Sequence, residues 1–120
     1  MSLRILIADD HPTVRRNLKQ LLESKMKWRV CGEAANGLEA VQKAALLMPD
    51  VIILDARMPE MDGFEAASQI SSATPAVSIL MYTNFDVAPG TKAVGVRQII
   101  NKASPQALLS ALGALQVHKE

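Results

Sequence analysis

The chain of 120 residues has a single cysteine, Cys31. One thiol excludes an internal disulfide and a thiolate metal cluster. Charge of one sign is not in excess: 13 Lys and Arg stand against 12 Asp and Glu. That balance gives no global reason to hold nucleic acid or a membrane surface. No apolar run approaches the ~18–20 residues that cross a bilayer. The opening residues, MSLRILIADD, lack the charged stretch, long apolar stretch and small-residue cleavage site of a signal peptide. No internal repeat or low-complexity tract interrupts the chain. What is present is 49% hydrophobic and 21% charged residues. Such a chain can bury a core and suits one compact domain over residues 1–120, expected to be cytoplasmic.

The apolar residues fall in two rhythms. Short runs (Leu3 to Ala8, Trp28 to Gly32, residues 50–54, Ala76 to Tyr82, Val96 to Ile100) read as strands. Between them, helical spacing recurs. Pro12 opens a helix to about residue 25, with Val14, Leu18, Leu21 and Leu22 on one face. Asn36 caps a second, with Glu39 three positions on, and Pro49 ends it. Asp62-Gly63 opens a third, and Ser104-Pro105 the last. Residues 84–95, NFDVAPGTKAVG, should hold a helix by this rhythm, but Pro89 and Gly90 predict a short or distorted one, or a loop. Alternating strands and helices, with strands apolar throughout, predict an α/β fold with a parallel sheet covered on both faces.

In such sheets the ligand site lies beyond the carboxyl ends of the strands, where strand order reverses. Asp9 and Asp10 follow the first strand and Asp55 ends the third, VIILD. If these strands are neighbours, three carboxylates converge. Each like-charged pair at about 4 Å repels by roughly 4 kcal/mol at an effective dielectric of 20. A hard divalent cation with oxygen ligands, Mg²⁺ above all, offsets this. Thr83 and Lys102 close the fourth and fifth strands on the same edge. One hydroxyl, one ammonium, three carboxylates and a metal suit a phosphoryl group, with one carboxylate as nucleophile. His11 reads as a solvated helix-entry residue, since imidazole is a poor Mg²⁺ ligand. Cys31 and the methionines read as packing residues, and Arg15, Arg16 and Lys19 as a solvated face of the first helix.

The strings IADDHPTVRRNLKQLL, GEAANGLEAV, PDVIILDARMPEMDG and MYT, with Lys102 after the fifth strand, resemble the receiver domain of two-component response regulators. The likeness is strongest to receivers that precede a helix-turn-helix output domain. It implies a flavodoxin-like, doubly wound five-stranded sheet in the order 2-1-3-4-5, with helices on both faces. It implies that Asp55 accepts a phosphoryl group from a sensor histidine kinase with Mg²⁺. Asp10, Asp55 and the backbone carbonyl of Arg57 would ligate the metal, with Asp9 acting mainly through water. Thr83 and Lys102 would hold the phosphoryl oxygens. Arg57 and Phe85 would flank the phosphate and tune its lifetime. Thr83 would shift a two-state surface near the fifth strand. Such a domain is a switch rather than a metabolic enzyme, catalysing only its own phosphorylation and dephosphorylation. Its implied partners are the kinase, a C-terminal DNA-binding output domain outside this chain, and a second copy in a homodimer.

Three departures from that pattern stand out. Thr83 and Lys102 are closer in sequence than in a typical receiver. Ile99 occupies the place of a switching aromatic and has neither its hydroxyl nor its swing. Ala103 follows Lys102 where Pro or Asp is usual. The alternative within the fold is a pseudo-receiver acting only as a protein-interaction module. An aspartate-nucleophile phosphatase would want a second Asp where Arg57 stands, and Asp9-Asp10 would repel a flavin phosphate.

Overall fold

The computed structural model describes residues 2–25, 28–84, 86–88, 91 and 93–119. Five strands, β1 (Arg4–Ala8), β2 (Arg29–Ala34), β3 (Val51–Leu54), β4 (Ser78–Thr83) and β5 (Val96–Asn101), form one parallel sheet in the order β2-β1-β3-β4-β5. Among the described residues, four helices, α1 (Pro12–Lys25), α2 (Gly37–Leu47), α3 (Gly63–Ala73) and α4 (Pro105–Lys119), accompany the sheet. The flavodoxin-like order inferred from the sequence is the order observed.

The three central strands, β1, β3 and β4, are largely apolar because each side of the sheet is covered there. Leu3, Ile5, Ile7, Val51, Ile53, Leu80 and Ile100 pack with Leu18, Leu22 and Leu112 from α1 and α4. Leu6, Ala8, Ile52, Leu54 and Ile79 pack with Ala40, Ala44, Ala66 and Ile70 from α2 and α3. β3 is buried at every position. Burying one such aliphatic side chain is worth about 1.5–3 kcal/mol, so the centre of the sheet is its firmest part. The helix starts follow the expected capping. Asn36 Oδ1 accepts from Glu39 N at 2.8 Å, and Glu39 Oε1 returns a bond to Ala35 N at 2.9 Å. Asp62 caps α3 through Glu65 N at 2.9 Å.

Some expectations need correction. β2 runs to Ala34, and β4 begins at Ser78 and includes Thr83. Of the short or distorted helix or loop expected between β4 and β5, the described residues of 84–95 show no helix; Pro89 and Gly90 lie outside them. Thr91 N donates to Ala88 O at 3.1 Å, and a turn at Val94-Gly95 leads into β5. A crossover between parallel strands needs about a dozen residues, and residues 84–95 are no longer than that minimum. Val96 is half-buried against the α2–α3 side, Arg97, Gln98 and Ile99 are exposed, and only Ile100 of β5 is buried.

Candidate functional site

Strand order reverses between β1 and β3, so a crevice opens at their carboxyl ends. Ala8 and Leu54 are register partners, and the next residues are Asp9 and Asp55. The backbone bonding continues past the strands. Asp55 N donates to Ala8 O at 2.9 Å, Asp9 N to Ala34 O at 3.0 Å, and Lys102 N to Thr83 O at 3.0 Å. Each of these candidate site residues thus stands on a backbone already fixed by the sheet. Asp9 is 3% exposed, Asp55 5% and Thr83 2%.

The buried carboxylates meet on Lys102. Its Nζ lies 2.6 Å from Asp9 Oδ2 and 3.1 Å from Asp55 Oδ2. Burial pushes the Lys102 ammonium down, but the hydrogen bonds and charges of Asp9 and Asp55 outweigh it and raise its pKa. Burial likewise raises Asp9, and the hydrogen bonds from Lys102 and His11 overturn that, leaving its carboxyl below the usual range. Both groups are held ionised. His11 Nδ1 sits 2.9 Å from Asp9 Oδ1, which, with the Asp10 charge, raises the imidazole pKa. The ring is largely exposed, as expected of a helix-entry residue.

Asp10 differs from its neighbours. Its Oδ1 is buried and has no hydrogen-bond partner; His11 Nδ1 is 3.1 Å away, but its hydrogen bond goes to Asp9. A buried carboxylate oxygen without a donor is costly. Ligand atoms of Asp9, Asp10, His11 and Asp55 all lie within 4.8 Å of one another. An orphaned oxygen beside two further carboxylates fits a hard divalent cation. The cleft, about 400 Å³, is lined by Asp10, His11, Asp55, Arg57, Thr83, Asn84 and Lys102. Thr83 also lines a second cavity of about 370 Å³ toward β5, with Val87, Ala88, Thr91 and Ile99. Phe85 lies outside the described residues.

The loop after Asp55 is shaped by two glycines. A Cβ on Gly63 would come within 2.0 Å of the Asp55 carbonyl oxygen, and one on Gly37 within 2.0 Å of the Met61 carbonyl oxygen. Gly63 N also donates to Ala56 O at 2.8 Å. Only hydrogen at these positions lets α3 and the start of α2 close on the loop that carries Arg57. The contact of Gly37 with Met61 has no signal in the sequence around it. Arg15 is not part of the solvated face expected for it. That side chain is 17% exposed rather than solvated, with NH1 2.6 Å from Asp9 O and Nε 2.9 Å from Glu33 Oε1. Lone polar positions on a helix face carry no signal of such a distant partner.

Residues 5–113 match the family model of the response regulator receiver domain. The chain belongs to that family. Among curated relatives, the uncharacterized transcriptional regulatory protein YxjL of Bacillus subtilis is 34% identical over 93% of this chain and 53% of its own length. The response regulator VraR of Staphylococcus aureus is 41% identical over 71% of this chain and 41% of its own. The chain spans about half the length of these relatives. The structure superposes on the response regulator domain of Thermotoga maritima CheB with a TM-score of 0.85 at 27% identity, covering 96% of each chain. A LuxR-family DNA-binding response regulator from Staphylococcus aureus gives 0.85 at 27%, covering 94% of this receiver and 98% of that chain. Receivers of this family are signalling switches rather than conventional enzymes. No helix among the described residues is long and apolar enough to cross a membrane.

Proposed function

We propose that this receiver takes a phosphoryl group onto Asp55 from a phosphohistidine of a sensor histidine kinase, in the presence of Mg²⁺. The observation that carries the reading is the convergence of Asp9, Asp10 and Asp55 at one sheet edge, with Lys102 bridging Asp9 and Asp55 and a buried Asp10 oxygen lacking a hydrogen bond. Asp10, Asp55 and the Arg57 carbonyl would hold the metal, with Asp9 acting through water. The metal, when bound, neutralises charge on the transferring oxygens. An Asp55 oxygen attacks phosphorus, the phosphorus–nitrogen bond breaks, and the electron pair leaves on the imidazole. Lys102 orients Asp55 beforehand and, released toward the product, stabilises a phosphoryl oxygen. Thr83 donates its hydroxyl to another. Its position between the cleft and the cavity beside Ile99 suits a residue that reports occupancy to the β5 side.

In this reading residues 1–120 form one receiver unit, working in the cytoplasm and catalysing only its own phosphorylation and dephosphorylation. Arg57 and Phe85 tune the lifetime of the phosphoryl group. The relatives named as transcriptional regulators support control of transcription through a C-terminal DNA-binding domain outside residues 1–120, and pairing with a second copy. Incubation with acetyl phosphate and Mg²⁺, followed by intact mass measurement, should show one added phosphoryl group, absent in Asp55→Asn and without the metal. No mass gain would favour a pseudo-receiver that only binds partners.

A further inference from the structure

We propose that Arg15 is a positioning residue for the cation site, acting through the Asp9 main chain with Glu33 as its anchor. The inference rests on the reading of the acidic cluster as a Mg²⁺ site. Asp9 and Asp10 leave β1 on a loop, and Asp10 has no hydrogen bond on its buried oxygen to fix its side chain. Its aim therefore depends on the peptide between the two acids. The Asp9 main chain that leads into this peptide is held on both sides, and the peptide's own carbonyl is held by Arg15. Asp9 N donates to Ala34 O at 3.0 Å on the β2 side. Asp9 O accepts from Arg15 NH1 at 2.6 Å on the α1 side. The guanidinium is itself fixed, because its Nε donates to Glu33 Oε1 at 2.9 Å. Glu33 stands near the end of β2, and its carbonyl accepts from Lys43 Nζ of α2. Arg15 thus ties α1, the β1 loop and β2 together with one rigid fork, which an ammonium cannot span in the same way.

Two opposing consequences follow from this placement. As a cation near an acidic cluster, Arg15 should weaken Mg²⁺ binding by repulsion, so its removal should tighten binding. As the support of the Asp9–Asp10 peptide it should strengthen binding, so its removal should loosen it. Loss of a partner that orients a metal ligand lowers affinity by about tenfold or more, and at an exposed crevice this outweighs the screened repulsion.

Mg²⁺ titrations followed by amide shifts of residues 9, 10 and 55 separate the alternatives. The unaltered chain is compared with Arg15→Gln, Arg15→Lys and Glu33→Gln, each below its own unfolding midpoint in metal-free buffer. Arg15→Gln should loosen Mg²⁺ binding by about tenfold, and Arg15→Lys, with its charge kept, should still loosen it several-fold. Glu33→Gln, which leaves Arg15 an uncharged amide oxygen as acceptor, should fall between Arg15→Lys and the unaltered chain. Should Arg15→Gln fail to fold, Arg15→Lys carries the decision. Affinity unchanged or tighter in a folded Arg15→Lys overturns the inference, whatever the melting temperature does. Absence of Mg²⁺ binding by the unaltered chain overturns the underlying site reading instead, and the inference with it.

Discussion

The two ends of the crevice are built differently. At the β1–β3 end, Asp9 and Asp55 sit on adjacent central strands, each with a main-chain bond to the neighbouring strand and a side-chain bond to Lys102. At the β4–β5 end, Thr83 is buried, but Ile99, its partner in the receiver pattern, is 38% exposed, and the crossover carries no helix among its described residues. The first end is over-determined and the second is lightly packed. Segments with few buried apolar contacts open at lower free energy than the core. Under the proposed function, the chemistry belongs to the rigid end and the change it provokes should appear in the loose one.

Substitutions can break this contrast. The largest effect should come from Gly63→Ala, whose methyl group meets main-chain atoms of Asp55 and Ala56 that cannot rotate away. A loss of about 3 kcal/mol in denaturant unfolding is expected, together with loss of phosphoryl uptake. Next is Lys102→Met. It leaves two buried carboxylates without their ammonium, and should cost about 3 kcal/mol without metal. Added Mg²⁺ should recover part of that loss in the melting temperature, and recover more than it adds to the unaltered chain.

The same ion pair fixes a pH dependence. Asp9 has a lowered pKa, so its stabilisation is complete above the unfolded value of 3.8 and is lost as pH falls below it. Lys102 has a raised pKa, so its contribution is complete below 10.5 and is lost as pH rises beyond that. Thermal melts across pH should show both flanks in the unaltered chain. Lys102→Met should remove the alkaline flank assigned to this residue and shift the acid one. The smallest effect is expected at Glu60, which holds φ of +69° in the loop after Asp55. Relief of left-handed backbone by Glu60→Gly gains about 1–2 kcal/mol, and the extra freedom of unfolded glycine removes about 0.5–1 kcal/mol. A net gain of about 0.5–1 kcal/mol should appear as a higher urea midpoint.

The fold was readable because the strands are uninterrupted aliphatic runs, such as Val51 to Leu54, and because Asn36 and Asp62 announce helix starts. The acids were readable as site candidates because a carboxylate directly after a buried run has few structural reasons to be there. Edges were less legible: Ala34 and Thr83 extend their strands through pairing with β1 and β5, which local composition does not encode. Arg15 was misread because a helical face shows only that a residue is polar, not that Glu33 and the Asp9 carbonyl wait opposite. The role of Gly37 was hidden for a similar reason, since its neighbour Met61 is remote in sequence. The crossover at 84–95 was legible in its weakness, Pro89 and Gly90, but not in its path.

The claim at the centre is that the carboxylates after β1 and β3 form one cation cage, with Asp10 supplying a buried oxygen that has no hydrogen bond. A Mg²⁺ titration of the unaltered chain and of Asp10→Asn, read by amide shifts at residues 9, 10, 55 and 57, tests it most directly. The account predicts saturable shifts at these residues in the unaltered chain and a loss of affinity of at least about tenfold in Asp10→Asn. Shifts that never saturate, or equal affinity in the two proteins, would contradict it.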